Sequence, residues 1–530
     1  MSSEDKERLL VEIEHRIMEM YGCDALLLEQ IILDTIYDER QRLEKEKNRE
    51  KAATEKKFYD RIQPAATRGD LHQMRQILRE MTRYFFDGIV GHFDERVYAL
   101  STNVVPPALS VLLNSVSPMR MLRVFRDGFK AFDDQLVIRG EVEALRRAAS
   151  KGTTILVSTH QSNLDSIILG FALHTLGLPP YTYGAGLNLF SNKMIGFFMH
   201  NLGAYKVDRL KKAELYKTIL KIYAGCTIEL GYHNMFFPGG TRIRNGMVEP
   251  KLKKGLLGMG LNAYIHNLKG QRSNPDVFVV PCTLNYQLVL EAETLIEDHL
   301  KEVGKSRYII EDDEFSKPKV VLDFVRKLFS LDSSIYLTIS KPLDVFGNEI
   351  DEECRSIDKK GRIIDRVGYV CSDGEVNFDS QRDQQYTEEL EESVIRAFHN
   401  DSVVNTTRIL CYVAFNWLLR NNPGMDFYRL LRTGGEKESI PQADIYNGVE
   451  TVLDKLKEKE LKGEVKLSNI LKTKDVVTIV NDALLHLKTF HKKPALLRKG
   501  DRYFLEDRNL LLYYRNRLAS YNLEKGDKPL

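Results

Sequence analysis

A histidine followed five residues later by an aspartate, in His160-Gln161-Ser162-Asn163-Leu164-Asp165, is the arrangement in this chain best suited to moving a proton. A carboxylate bonded to one imidazole nitrogen fixes the tautomer. It also stabilises the imidazolium that forms when the other nitrogen takes a proton. Of the 12 histidines, only His160 has an aspartate at this spacing. A plainer reading stands beside this one: Asp165 caps a helix and His160 occupies a turn, since short motifs often match by chance.

Three later stretches bear on that choice. Met235-Phe236-Phe237-Pro238-Gly239-Gly240-Thr241-Arg242-Ile243-Arg244 runs from an apolar strand into paired glycines and two arginines. Glycine lets backbone approach a ligand closely, and the guanidinium fork suits bidentate binding of phosphate. An ordinary turn with solvated arginines has the same pattern. Arg209 follows the short apolar run Ala204–Val207 and reads either as a surface arginine or as a second cation at the same sheet edge. Val277–Tyr286 reads as a buried core strand whose Pro281 hints at a cleft. Gly255, Gly258 and Gly260 lack the spacing of a nucleotide loop and read as small residues for close helix packing.

These groups need elements to position them. Thr154–Ser158 is a short β-branched run, as buried strands are, and the apolar run after Asp165 reads as a helix. Strands are expected at Gln135–Arg139, Thr154–Ser158, Tyr181–Ala185, Ala204–Val207, Met235–Phe237, Val277–Leu284 and Ile335–Ile339. Helices are expected at 141–149, 166–176, 211–230, 253–268 and 288–303. Such alternation predicts an α/β fold, a mixed and mostly parallel sheet flanked by helices. The expected organisation is an N-terminal helical region over 1–130, the α/β domain over 131–346 and a mostly helical C-terminal region over 347–530. The charged run Arg40–Lys57 reads as a solvated helix with paired charges. Ala495–Leu505 reads as a small hairpin about Lys499-Gly500-Asp501. No internal repeat or low-complexity segment is apparent.

Composition excludes some classes. Net charge is +2, from 77 basic and 75 acidic side chains, so any phosphate site is local and nucleic acid is not an expected partner. The six cysteines are scattered, against a zinc site or a disulfide framework and in keeping with a reducing compartment. The N-terminus is not that of a signal peptide. No apolar stretch of about 18 residues is present, so membrane contact is expected to be peripheral, with Phe190–Met199 as a candidate surface or, equally, a core helix.

The four stretches occur in the order found in the glycerolipid acyltransferase superfamily, and the first resembles its His-x4-Asp motif. Met247–Leu257, Asn285–Glu293, Asp379–Thr387 and Leu511–Asn516 extend the resemblance to the glycerol-3-phosphate acyltransferase family, over roughly residues 120–530. The resemblance implies His160 as general base and Asp165 as its orienting partner. Arg209, Arg242 and Arg244 would bind the acceptor's phosphate, and Gly240 would form the turn. The implied reaction is acylation of the 1-hydroxyl of glycerol 3-phosphate from acyl-CoA or acyl-carrier-protein, with no cofactor, on the cytoplasmic face of a membrane such as the bacterial inner membrane. Lysophosphatidate or dihydroxyacetone phosphate as acceptor, or a catalytically silent lipid- or partner-binding relative, remain open. Phe237–Arg242 resembles the family's Phe-Pro-Glu-Gly-x-Arg motif, and the chain departs from that pattern at Gly239, where the family usually has Glu, and at Ile243, where it often has Ser.

Overall fold

Period-two alternation within the apolar runs sets the layers. In Ile155-Leu156-Val157, the outer two side chains point to one face of a strand and the middle one to the other. The computed structural model describes residues 1–46, 48–68, 70–103, 136–190, 193–303, 334–434, 439–489 and 491–524. Its first helices are α1 (Ser3–Tyr21), α2 (Ala25–Glu44), α3 (Arg49–Arg68), α4 (Leu71–Ile89) and α5 (Glu95–Asn103). There follow β1 (Leu136–Gly140), α6 (Val142–Lys151), β2 (Thr153–Ser158), α7 (Asp165–Thr175), β3 (Thr182–Gly186), α8 (Lys193–Asn201), β4 (Ala204–Val207) and α9 (Glu214–Glu229). Next come β5 (Asn234–Phe236), α10 (Lys254–Lys269), β6 (Val277–Asn285), α11 (Ala292–Val303) and β7 (Ile335–Ile339). The remaining long helices are α12 (Ser380–Asn400), α13 (Thr406–Arg420), α14 (Gln442–Leu461), α15 (Val476–Thr489) and α16 (Arg508–Ala519).

All seven strands join one sheet, in the order β1-β7-β6-β2-β5-β3-β4. The five strands from β6 to β4 are mutually parallel, while β7 pairs antiparallel with β6 and parallel with β1. The expected mixed, mostly parallel sheet is therefore present. One apolar core packs Leu156, Met235, Val280 and Leu337 against α7 and α13–α16. The other packs Ile155, Val157, Phe236 and Val279 against α1–α4, α9, α10 and α12. Full burial of a Val, Leu or Ile side chain stabilises by about 1.5–3 kcal/mol. Strand β2, buried along its whole length, thus anchors whatever follows it. Gly260 lies where a Cβ would meet Ile155 Cδ1 at 3.0 Å, the close helix-on-sheet approach expected of that glycine run.

The charged run Arg40–Lys57 is not the single solvated helix that its composition suggests. It contains the turn between α2 and α3, and part of it is buried. Glu39, just before it, is fully buried and accepts from Arg42, from Tyr59 Oη at 3.1 Å and from Lys211 Nζ at 2.5 Å. Arg42 also pairs with Glu55. Burial is tolerable because each charge meets its opposite.

Two features lie beyond β7. The hairpin about Gly500 forms from Leu496–Lys499 and Arg502–Leu505, and Ser439–Pro441 adds a third strand. Asp344, Asp351, Asp358 and Asp365 recur every seven residues, each accepting through Oδ1 from the main-chain N–H two residues on. This is a repeat that the sequence reading misses. Aspartate is favoured there because its carboxylate closes the turn; the residues between vary too much for the period to be visible.

Candidate active site

In open α/β sheets, ligands bind beyond the carboxyl ends of the parallel strands. Here β2 leads into His160, β4 into Arg209, β5 into Gly240 and Arg242, and β6 into Tyr286. His160, Arg209, Gly240 and Arg242 line one cavity of about 230 Å³, together with Asn163, Tyr183, Met199 and Phe236.

His160 Nδ1 lies 2.9 Å from Asp165 Oδ2. The carboxylate opens α7, as its place in the sequence suggests, and is fully buried. Oδ2 also accepts from the amides of Gln161 at 2.7 Å and Ser162 at 3.0 Å, and Oδ1 accepts from Tyr286 Oη at 2.5 Å. Four donors hold it in place, so it can hold the ring. Phe237 stacks on the imidazole at 4.0 Å and 17°. The side chain is 13% exposed, and Nε2 makes no hydrogen bond to the described residues. Burial, with Arg242 and Arg209 nearby, pushes the imidazole pKa down, against an opposing pull from Asp165. A base that is neutral near pH 7 and free at Nε2 is suited to taking a proton.

The arginines divide. Arg209 donates to the Gly240 carbonyl at 3.0 Å, and its pKa is depressed by burial and by the neighbouring Arg242 and Arg244. Arg242 pairs with the buried Glu291 at 3.2 Å. Arg244 instead pairs with Glu302 on α11 at 2.8 Å and is not among the cavity-lining residues. Gly240 has φ +75°, a left-handed conformation suited to glycine. A Cβ there would also meet Lys253 Cγ at 3.1 Å.

Three contributors went unnoticed in the sequence. Glu291 accepts from Ser162 Oγ at 2.8 Å and from the Asn163 amide at 3.0 Å, and so fastens the turn between His160 and Asp165. Tyr286 braces Asp165, and Glu249 accepts from the His160 amide at 2.9 Å. Tyr286 ends the Val277–Tyr286 run, Glu291 lies within Asn285–Glu293 and Glu249 within Met247–Leu257, so only those broader stretches signalled them. Helix α13 reaches the same turn through Arg408, which donates to Gln161 Oε1 at 3.3 Å. Among the described residues, no cluster of His, Cys, Asp or Glu is placed to hold a metal ion.

Residues 139–285 match the acyltransferase family. The matched segment runs from within β1 to the end of β6 and contains His160, Asp165 and all three arginines. The glycerol-3-phosphate acyltransferase of Haemophilus ducreyi is 29% identical over 206 residues, 38% of this chain and 23% of the relative. That of Aeromonas hydrophila is 32% identical over 154 residues, 29% of this chain and 18% of the relative. The dihydroxyacetone phosphate acyltransferase of Oryctolagus cuniculus is 29% identical over 183 residues, 34% of this chain and 26% of the relative. The chain thus spans between 18% and 26% of the length of these relatives.

Proposed function

We propose that this protein transfers a fatty acyl group from a thioester donor, acyl-CoA or acyl-carrier-protein, to the primary hydroxyl of glycerol 3-phosphate. The observation that carries this reading is the shared cavity: a histidine braced by a carboxylate, with two guanidinium groups across from it. His160 Nε2 takes the hydroxyl proton while the oxygen attacks the thioester carbonyl carbon. The tetrahedral intermediate collapses, the C–S bond breaks, and the thiolate takes the proton from the imidazolium. The products are the acyl ester and the free thiol.

The phosphate is assigned to Arg209 and Arg242, which would set the hydroxyl against Nε2. The acyl chain is assigned to the apolar side of the cavity, between Met199, Val207, Leu220, Phe236 and Leu256. Among the described residues, no helix is long and apolar enough to cross a membrane. Ile167 (49% exposed), Phe197 (49%) and Leu210 (67%) are next to, or two positions from, the cavity residues Ser166, Met199 and Arg209. Such exposed apolar groups beside cavity residues in the sequence suit a membrane surface that receives the product. Co-flotation with anionic phospholipid vesicles is the expected result; a chain left wholly at the bottom of the gradient would contradict docking.

The decisive assay follows labelled glycerol 3-phosphate and palmitoyl-CoA to an acylated product. Dihydroxyacetone phosphate is the second acceptor to try, because a relative acting on it is about as similar as those named for glycerol 3-phosphate. No product from either acceptor, with either thioester, would refute the proposal.

Arg209→Ala is the cleaner probe of phosphate binding, since removing Arg242 strands the buried Glu291. A charge-assisted hydrogen bond contributes about 1.5–3 kcal/mol, so the acceptor KM should rise roughly 10- to 150-fold with the donor KM unchanged. An unchanged acceptor KM would remove Arg209 from the phosphate site.

A further inference from the structure

Glu249 is a costly residue that packing does not explain. It is 4% exposed and sits outside any strand or helix, between the Gly240 loop and α10. One carboxyl oxygen accepts from the His160 amide at 2.9 Å, while Oε2 has no hydrogen-bond partner among the described residues. Burial raises its pKa to about 7. Buried carboxylates with an unsatisfied oxygen destabilise a fold and are retained mainly where they serve a site.

Its surroundings say what it serves. The His160 main chain is gripped from both sides: its amide donates to Glu249, and its carbonyl accepts from the Ile243 amide at 2.8 Å. Pro238 in the same loop accepts from the Lys253 amide at 2.6 Å. Glu249 also lies against Gly239, the position at which the resemblance implies a glutamate. A Cβ built on Gly239 would stand 3.4 Å from Glu249 Cγ and 4.0 Å from Oε1, in ordinary van der Waals contact. A glutamate side chain at 239 is long enough to reach the place the Glu249 carboxyl now occupies.

We infer that Glu249 is a positioning residue for His160, supplying from ten residues downstream the carboxylate that position 239 lacks. It is absent from the cavity lining, so it acts through the His160 main chain and not on substrate. The charged groups that face it are Arg517 on α16 and Asp165. The inference rests on the acyltransferase reading for its kinetic test only.

The experiment compares the full-length chain with Glu249→Ala, Glu249→Gln and the double variant Gly239→Glu/Glu249→Ala. Misplacing a reacting group by a fraction of an ångström costs heavily, so Glu249→Ala should lower kcat roughly 10- to 100-fold, with acceptor KM held within about twofold. Glu249→Gln keeps an oxygen for the His160 amide and should recover most of the rate. The double variant should recover it too, because the carboxylate returns from position 239. Full kcat in Glu249→Ala, a loss confined to KM, or no recovery in Glu249→Gln would overturn the positioning role. No recovery in the double variant would overturn the replacement of 239 by 249. The folded carboxyl pKa lies above its usual value, so its contribution to stability declines as pH rises from about 4.5 to about 7. Glu249→Gln should therefore raise the unfolding temperature more at pH 8 than at pH 5, and the variant is expected to fold. If the unmodified chain acylates nothing, the functional reading fails separately. The contact is then read from the His160 amide resonance in [15N]histidine-labelled protein. That resonance should move upfield in Glu249→Ala and hold its place in Glu249→Gln; an unmoved resonance in Glu249→Ala overturns the inference.

Discussion

His160→Ala should lower acyl transfer by roughly 10²–10⁴-fold, the usual contribution of a positioned general base, while the chain unfolds at nearly the native temperature. The structure separates these effects. Removing the ring deletes one hydrogen bond to Asp165 and the stack on Phe237. Asp165 keeps the Gln161 and Ser162 amides and the Tyr286 hydroxyl, so the turn keeps its shape. The loss should fall on kcat, because His160 acts on the hydroxyl and the arginines hold the phosphate. The pH profile of the unmodified chain belongs to the same test. The base must be neutral, and burial with two nearby guanidinium groups lowers its pKa. The acid limb of kcat/KM should therefore lie below pH 6.5, the rate rising with pH and then levelling. Turnover of His160→Ala near the native rate, or an acid limb well above pH 6.5, would remove His160 from the role of base.

What the sequence could reveal depended on how local the cause was. The seven strands were legible because each is a short apolar run between polar turns, and all seven fall in one sheet. His160 and Asp165 were legible because five residues separate them along one turn. Glu291 and Glu249 were not: each reaches the His160 turn from about ninety residues or more downstream, and a lone glutamate in a loop has no periodicity to betray it. The burial of Glu39 and Arg42 was hidden for a related reason. A charged run predicts solvation unless its partner is known, and here the partner, Lys211, lies 172 residues after Glu39. Arg244 shows the converse. Its spacing from Arg242 would put both on one side of an extended segment, but residues 241–246 bend instead of running as a strand, and its guanidinium meets Glu302.

Lys211 leads to the second large effect. Glu39→Ala should destabilise the chain by about 3–5 kcal/mol, as breaking a buried ion pair does, and should also raise the acceptor KM. Glu39 on α2 accepts from Arg42, Tyr59 and Lys211, and Lys211 lies two residues beyond Arg209. Without Glu39, two cations are left to share Glu55. Lys211 is also seated over the rings of Tyr84, Phe85 and Tyr216, so it cannot swing out to solvent without losing those contacts. The N-terminal helices would then clamp the loop that carries Arg209, beyond covering one face of the sheet. Denaturant unfolding measures the first effect and steady-state kinetics the second. The double variant Glu39→Leu/Lys211→Met separates them: replacing both charges by apolar groups should restore most of the stability, while Arg209, on a loop no longer tethered by charge, should keep the raised KM. If Glu39→Ala unfolds no more readily than the native chain, the pair is not what holds the helices to the site. If the double variant recovers both stability and KM, packing alone sets the position of Arg209.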